Sequence, residues 1–160
     1  MKELKLNNKN YKLNLHIGSR QFYFFYKLVN NLIINGKKDT ALNIINTLIT
    51  LIKEKYIDKD PLFILDKILC KCIITVKIKK KRVAGRVHHV PLFLQKVNQI
   101  NYSLKSFIDT VRLRSEKTMV LKLLSEVNAI LTQDNNAAII KKKKLLYMQA
   151  LNNKFYVKFL

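Results

Sequence analysis

Lys79, Lys80, Lys81, Arg82 and Arg86 crowd into one short stretch, and residues of this type can do one kind of chemistry: contact with a row of anionic groups, such as nucleic-acid phosphates. Lysine contributes a mobile point charge, and arginine a planar fork suited to phosphate or a guanine edge. Further cations recur along the chain: Lys77, the Gly36-Lys37-Lys38 triplet, Lys105, the Arg112, Arg114, Lys117 cluster, and the run Lys141 to Lys144. A run of four on a helix points in directions about 100° apart, so one or two must face whatever the helix packs on. Taken alone that run is a solvated face. With the other clusters, Lys141 and Lys142 read as one of several separate phosphate contacts.

Other chemistries find less support. The aromatic run Phe22 to Tyr26 could stack bases, but a helix packed on two neighbours hides most of such a run in the core. Cys70 and Cys72 with His88 and His89 do not follow a zinc spacing, so reduced thiols and no metal are expected. The acids are scattered, with Asp39, Asp60 and Glu116 in cap or first-turn positions, and His16 is alone in a polar stretch. With no nucleophile motif and no glycine-rich nucleotide loop, neither catalysis nor a cofactor is expected.

The elements that must position these cations follow from periodicity. Val76 and Ile78 fall on one face of a strand and Lys77 and Lys79 on the other. The Ala84-Gly85 pair permits a reversal, and Val87 to Pro91 returns, which predicts a β-hairpin at about 73–92. Its charged tip cannot enter a core, because buried unpaired charge is too costly. Helices are predicted from about Ser19 to Asn35, closed by Gly36; from Asp39 or Thr40 over the stripe Leu42, Ile45, Ile49, Ile52; and from Asp60-Pro61, with Leu62, Leu65 and Leu69 inward. After the hairpin, a helix at about Asn98 to Arg114 packs Leu104, Phe107, Ile108 and Val111. Ser115 caps a fifth carrying Leu123 and Val127, and a sixth runs from about Asn136 to Asn153. The expected architecture is mainly α: one domain of about six helices at 20–160, with the basic hairpin between the third and fourth, preceded by a flexible basic arm at 1–19.

Composition bounds the partner. In 160 residues, 31 Lys plus Arg stand against 10 Asp plus Glu, a formal charge of +21, while 49% of the chain is apolar. A core is therefore available, and the excess charge calls for a polyanion. With 3 Gly and 2 Pro, long helices are favoured over a β-sandwich. No secretory or import signature is expected at the N-terminus, and no run of about 18 uncharged apolar residues could span a bilayer. Lys over Arg, with many Asn, Ile and Leu, hints at an AT-rich coding genome.

Four segments in order resemble the bacterial-type small-subunit ribosomal protein seven family. L-V-N-N-L-I-I-N-G-K-K-D-T-A at Leu28 to Ala41 looks like that family's F-V-N-x-h-M-x-D-G-K-K-S-T-A. K-K-K-R-V-A-G-R-V-H-H-V-P at Lys79 to Pro91 is similar to its R-R-V-G-G-x-x-Y-Q-V-P hairpin. R-L-R-S-E-K-T-M at Arg112 to Met119 parallels R-K-R-G-D-K-S-M, and M-Q-A-L-N-N-K-F at Met148 to Phe155 parallels M-A-E-A-N-K-A-F. The resemblance implies a helical protein bound to the 3′ major domain of small-subunit rRNA. It would organise the subunit head beside exit-site tRNA and the mRNA path, with other head and platform proteins as neighbours. Lys37, Lys38, Arg82, Gly85, Arg112, Arg114 and Lys117 fall on its motif positions, and Lys141 with its neighbours falls near the family's basic start of the last helix. Ala84, His88-His89, Ser115 and an arm with spaced Lys2, Lys5, Lys9 and Lys12 depart from its pattern. A mitochondrial member is expected, with a plastid-type organelle or the bacterial cytoplasm as alternatives. The competing reading is a basic amphipathic protein on an anionic membrane surface.

Overall fold

The computed structural model describes residues 19–57, 59–83, 85–132 and 137–159. The predicted basic arm, with Lys2, Lys5, Lys9, Lys12 and His16, lies outside the described residues, as do Ala84 and the predicted helix start at Asn136. Among the described residues six helices surround a common core: α1 (Ser19–Leu32), α2 (Lys38–Lys55), α3 (Pro61–Cys72), α4 (Lys96–Arg112), α5 (Met119–Leu131) and α6 (Ala138–Asn152). Between α3 and α4 stand β1 (Val76–Val83) and β2 (Arg86–Phe93), paired antiparallel from Val76 opposite Phe93 to Val83 opposite Arg86. A 3-10 segment, Lys154–Phe159, follows α6; no sequence signal predicts it.

The predicted stripes form the core, except that Leu42 of the α2 stripe is half-buried. Ile45, Leu48 and Ile52 of α2, Leu104, Ile108 and Val111 of α4, and Leu123 and Val127 of α5 are buried. Each such side chain stabilises the fold by about 1.5–3 kcal/mol relative to exposure. α4 packs against α1, α3, α5 and α6, which explains why its buried face widens to take in Ser103, Ser106 and Thr110. On α3 the inward face is rotated from its expected position: Ile64, Ile68 and Leu69 are buried, while Leu62 and Leu65 are half-buried.

Several predicted boundaries shift for local reasons. α1 ends at Leu32, short of Asn35, because Asn35 (φ 53°) and Gly36 (φ 73°) both take the left-handed conformation. α2 starts at Lys38 with Lys37 as its N-cap, while Thr40 Oγ1 donates back to the Lys37 carbonyl at 2.8 Å. Pro61 opens α3 as expected, yet the Asp60 side chain makes no cap bond. α4 runs two residues earlier at each end than predicted. Ser115 does not cap α5. Thr118 does, accepting from Leu121 N at 3.3 Å, because the residues before it are taken up by an ion-paired loop.

Candidate nucleic-acid interface

The hairpin arm is fixed at its base and bare at its tip. Ile74 N donates to Ser103 Oγ of α4 at 2.8 Å, and Thr75 N donates to Tyr147 Oη of α6 at 3.2 Å. Leu94 N closes the base onto the Thr75 carbonyl at 2.9 Å. Val76, Val90 and Pro91 are buried there, and Pro91 is tolerated because each strand of a two-stranded sheet has an open edge. Farther out, the His88 ring lies against Tyr156 of the 3-10 segment, with centroids 4.5 Å apart. The arm is cationic along its length: Lys77, Lys79, Lys80, Lys81, Arg82 and Arg86 are all exposed, with Arg82 and Arg86 beyond the His88 contact. Gly85 turns the tip at φ 79°; an added Cβ would touch nothing there, so the glycine answers only to backbone conformation.

A second cationic region forms where α1, α4 and α5 end or begin. Arg112 Nη2 donates to the Asn31 carbonyl at 3.2 Å, bringing the end of α4 to the end of α1, whose turn carries exposed Lys37 and Lys38. Lys122 Nζ donates to the Arg112 carbonyl at 3.0 Å and adds a cation that no motif picked out. Lys117 is exposed on the same loop.

Arg114, though in this cluster by sequence, turns inward. Its Nε donates to Glu116 Oε1 at 3.0 Å and its Nη1 to Glu126 Oε2 at 2.5 Å. Glu126 is fully buried, and its other oxygen accepts Ile139 N at 3.0 Å. Ile139 is in the first turn of α6, where amides lack helical partners and the helix dipole favours a negative charge. One carboxylate thus ties the α4–α5 loop to the start of α6. Burial works against the Arg114 charge, but its hydrogen bonds to Glu116 and Glu126 outweigh that, raising its pKa.

Glu116 is held down to about 2, first by the Ser125 hydroxyl donating at 2.6 Å and further by Arg114. Since this pKa is depressed, the ionised group stabilises the fold above its ordinary value near 4.5, and that contribution fades as pH falls toward 2. Ser125→Ala should therefore be less stable than the parent at neutral pH, with the gap narrowing through that acid window in denaturant titrations. A pH-independent gap would assign the Ser125 effect to packing.

The lysine run on α6 divides as helical geometry requires. Lys141 and Lys144 are exposed, whereas Lys142 and Lys143 are half-buried. Lys143 Nζ donates to the Lys71 carbonyl at 3.0 Å, and Lys71 Nζ to the Ile130 carbonyl at 3.3 Å. Each ammonium satisfies a carbonyl in the last turn of a helix, where a positive charge is favoured. Part of the basic excess therefore holds helices together. On the outer side of α6, Leu145, Met148 and Leu151 form an exposed apolar stripe at three-residue spacing, continued by Phe155.

All the predicted contact residues except Arg114 and Lys142 are exposed, including Lys105 on α4, which stands apart from both clusters. Of the aromatic run, Phe24 is core, Tyr23 is half-buried and donates to Asn101 Oδ1 at 3.3 Å, and Tyr26 is half exposed. Cys70 is exposed and Cys72 buried, as two positions apart on a helix must be; burial, ahead of the nearby Glu126 charge, pushes the Cys72 thiol up to about 12. Among the described residues no His, Cys, Asp and Glu group could hold a metal, and no helix is long and apolar enough to cross a membrane.

The sequence profile of the family described as ribosomal protein S7p/S5e matches residues 3–154. The chain is 32% identical over 130 residues to "Small ribosomal subunit protein uS7" of Wigglesworthia glossinidia brevipalpis, covering 81% of each. It is 32% identical over 133 residues to the proteins of that name from Mycoplasmopsis pulmonis and Nitrosomonas europaea, covering 83% of each chain.

Proposed function

The chain belongs to the ribosomal protein S7p/S5e family and is a structural, non-enzymatic component of the small ribosomal subunit, and from that premise we propose that it binds the 3′ major domain of small-subunit rRNA and organises the subunit head. The observation that carries this reading is the pair of exposed cationic regions on one rigid helical body: the α1–α2 turn with the α4–α5 loop, and the hairpin arm. Lys37, Lys38, Arg112 and Lys117 anchor the protein to rRNA phosphates, and Lys105, Lys141 and Lys142 add contacts on other faces. Arg114 serves the same interface by fixing the loop that presents Arg112 and Lys117. Lys77, Lys79, Lys80, Lys81, Arg82 and Arg86 carry the arm toward exit-site tRNA and the mRNA path. The apolar stripe on α6 suits a neighbouring small-subunit protein better than a phosphate backbone.

Substituting alanine at Lys37, Lys38 and Arg112 together should weaken binding to a head-rRNA fragment and flatten its salt dependence by about one unit of slope per lost phosphate contact. Trimming the tip from Lys80 to Arg86 should leave that affinity near the parent value and alter exit-site tRNA retention. Loss of rRNA binding on trimming, with normal binding by the triple variant, would reverse this division.

The lysine-rich, AT-biased composition fits an organelle genome or a reduced bacterium alike; the mitochondrial ribosome is the site of action proposed, with a plastid-type organelle or a bacterial cytoplasm as alternatives, and the relatives above are bacterial. Fractionation of the source cell separates these. Cations spread over several elements, with an exposed group of six on a β-hairpin, favour rRNA over an anionic membrane surface, which selects a single basic amphipathic face. Co-sedimentation with small subunits, and not with anionic liposomes, is the expected result.

A further inference from the structure

Leu113, the residue that ends α4, is 86% exposed, although cations surround it in sequence and space. Arg112 on one side is tied to the Asn31 carbonyl and Arg114 on the other to two carboxylates, while Lys122 holds the Arg112 carbonyl. The backbone that presents Leu113 is thus fixed from three directions. On the turn that Arg112 reaches, Ile34 is 58% exposed and its carbonyl accepts Lys37 N at 3.1 Å, next to the lysine pair. Isolated exposed aliphatic residues are ordinary. Two of them, held on pinned backbone inside a cationic region, are a different arrangement.

Charge complementarity names the occupant. Lys37, Lys38, Arg112 and Lys117 require a polyanion, and a phosphate gains nothing from a leucine. The apolar part of a nucleic acid is the face of an unstacked base, and leucine and isoleucine can pack on or wedge against such faces. We infer that Leu113 forms an apolar platform on which an unpaired RNA base packs while the surrounding cations hold the flanking phosphates. This rests on the assignment of the α1–α2 turn and the α4–α5 loop to rRNA.

Apolar burial and phosphate contact respond differently to salt, so the platform can be tested apart from the cations. Binding of the full chain to a 3′ major domain rRNA fragment would be measured from 50 to 400 mM salt for the parent and for Leu113→Ser, Leu113→Phe and Leu113→Lys. Leu113→Ser should bind about tenfold more weakly at every salt concentration, with an unchanged slope, as loss of one buried leucine contact implies. Leu113→Phe should match or exceed the parent. Leu113→Lys should bind well at low salt only, with a slope steeper by about one. A Leu113→Ser variant that binds like the parent overturns the platform and leaves the rRNA assignment standing. A changed slope in Leu113→Ser overturns it too, since Leu113 would then act through its cationic neighbours. If the parent itself shows no salt-dependent binding, the rRNA assignment fails and the platform with it.

Discussion

Glu126→Ala will lower unfolding stability by about 3 to 5 kcal/mol, the cost of breaking a buried ion pair by removing one partner. The structure gives three separate reasons. Arg114 loses the carboxylate that draws it inward, Ile139 N loses its acceptor at a helix start, and a cavity opens in a fully buried site. Glu126→Gln should cost less, because an amide oxygen can still accept from Ile139 N. The double variant Arg114→Met with Glu126→Met should recover part of the loss, since an apolar pair of similar volume needs no charge compensation. Denaturant midpoints for the parent, the two single methionine variants and the double variant form a cycle that isolates the coupling. An unchanged midpoint in Glu126→Ala would show that the carboxylate does not hold the α4–α5 loop to α6.

The second large effect concerns binding. If about 6 to 10 phosphates are neutralised, affinity for the head-rRNA fragment will fall about 10³- to 10⁵-fold between 50 and 200 mM salt. Lys37, Lys38, Lys105, Arg112, Lys117, Lys141 and Lys142, the cations assigned to rRNA, are sufficient in number for the lower part of that range. Lys71, Lys122, Lys143 and Arg114 are excluded from the count because their charged groups are occupied within the protein. The slope thus measures how much of the formal +21 faces RNA. A nearly salt-independent interaction would sink the electrostatic mechanism.

What can be read in the sequence depends on range. The α2 and α4 stripes and the alternating faces of the first hairpin strand follow from local periodicity, and the exposed tip follows from the cost of burying charge. Pro61 marks a helix start for an equally local reason. Glu126 is illegible because nothing near it distinguishes a solvated acid on α5 from one facing Arg114 and the amide of Ile139; the partners are 12 and 13 residues away. Lys71, Lys122 and Lys143 look like surface charge for the same cause, since their acceptors are carbonyls of other elements. Ser115 misleads because its capping chemistry is local, whereas the ion pair that occupies its loop is not. Leu113 is inconspicuous because an apolar residue after a helical stripe reads as its continuation.

The arm, finally, can be treated as a ruler. Its strands are paired without interruption from a clamped base to the pair Val83 and Arg86, so its reach is set by the number of cross-strand pairs. Each residue contributes about 3.3 Å of rise, and side chains alternate faces with period two. Excising the pairs Arg82 with Val87 and Val83 with Arg86, while keeping the reversal, would shorten the reach by about 7 Å and leave every remaining residue on its present face. Removing a single pair would instead move the reversal to the opposite pleat. Length along this ribbon is therefore quantised in steps of two pairs, and distance to whatever the tip touches can be varied without disturbing the body that anchors it.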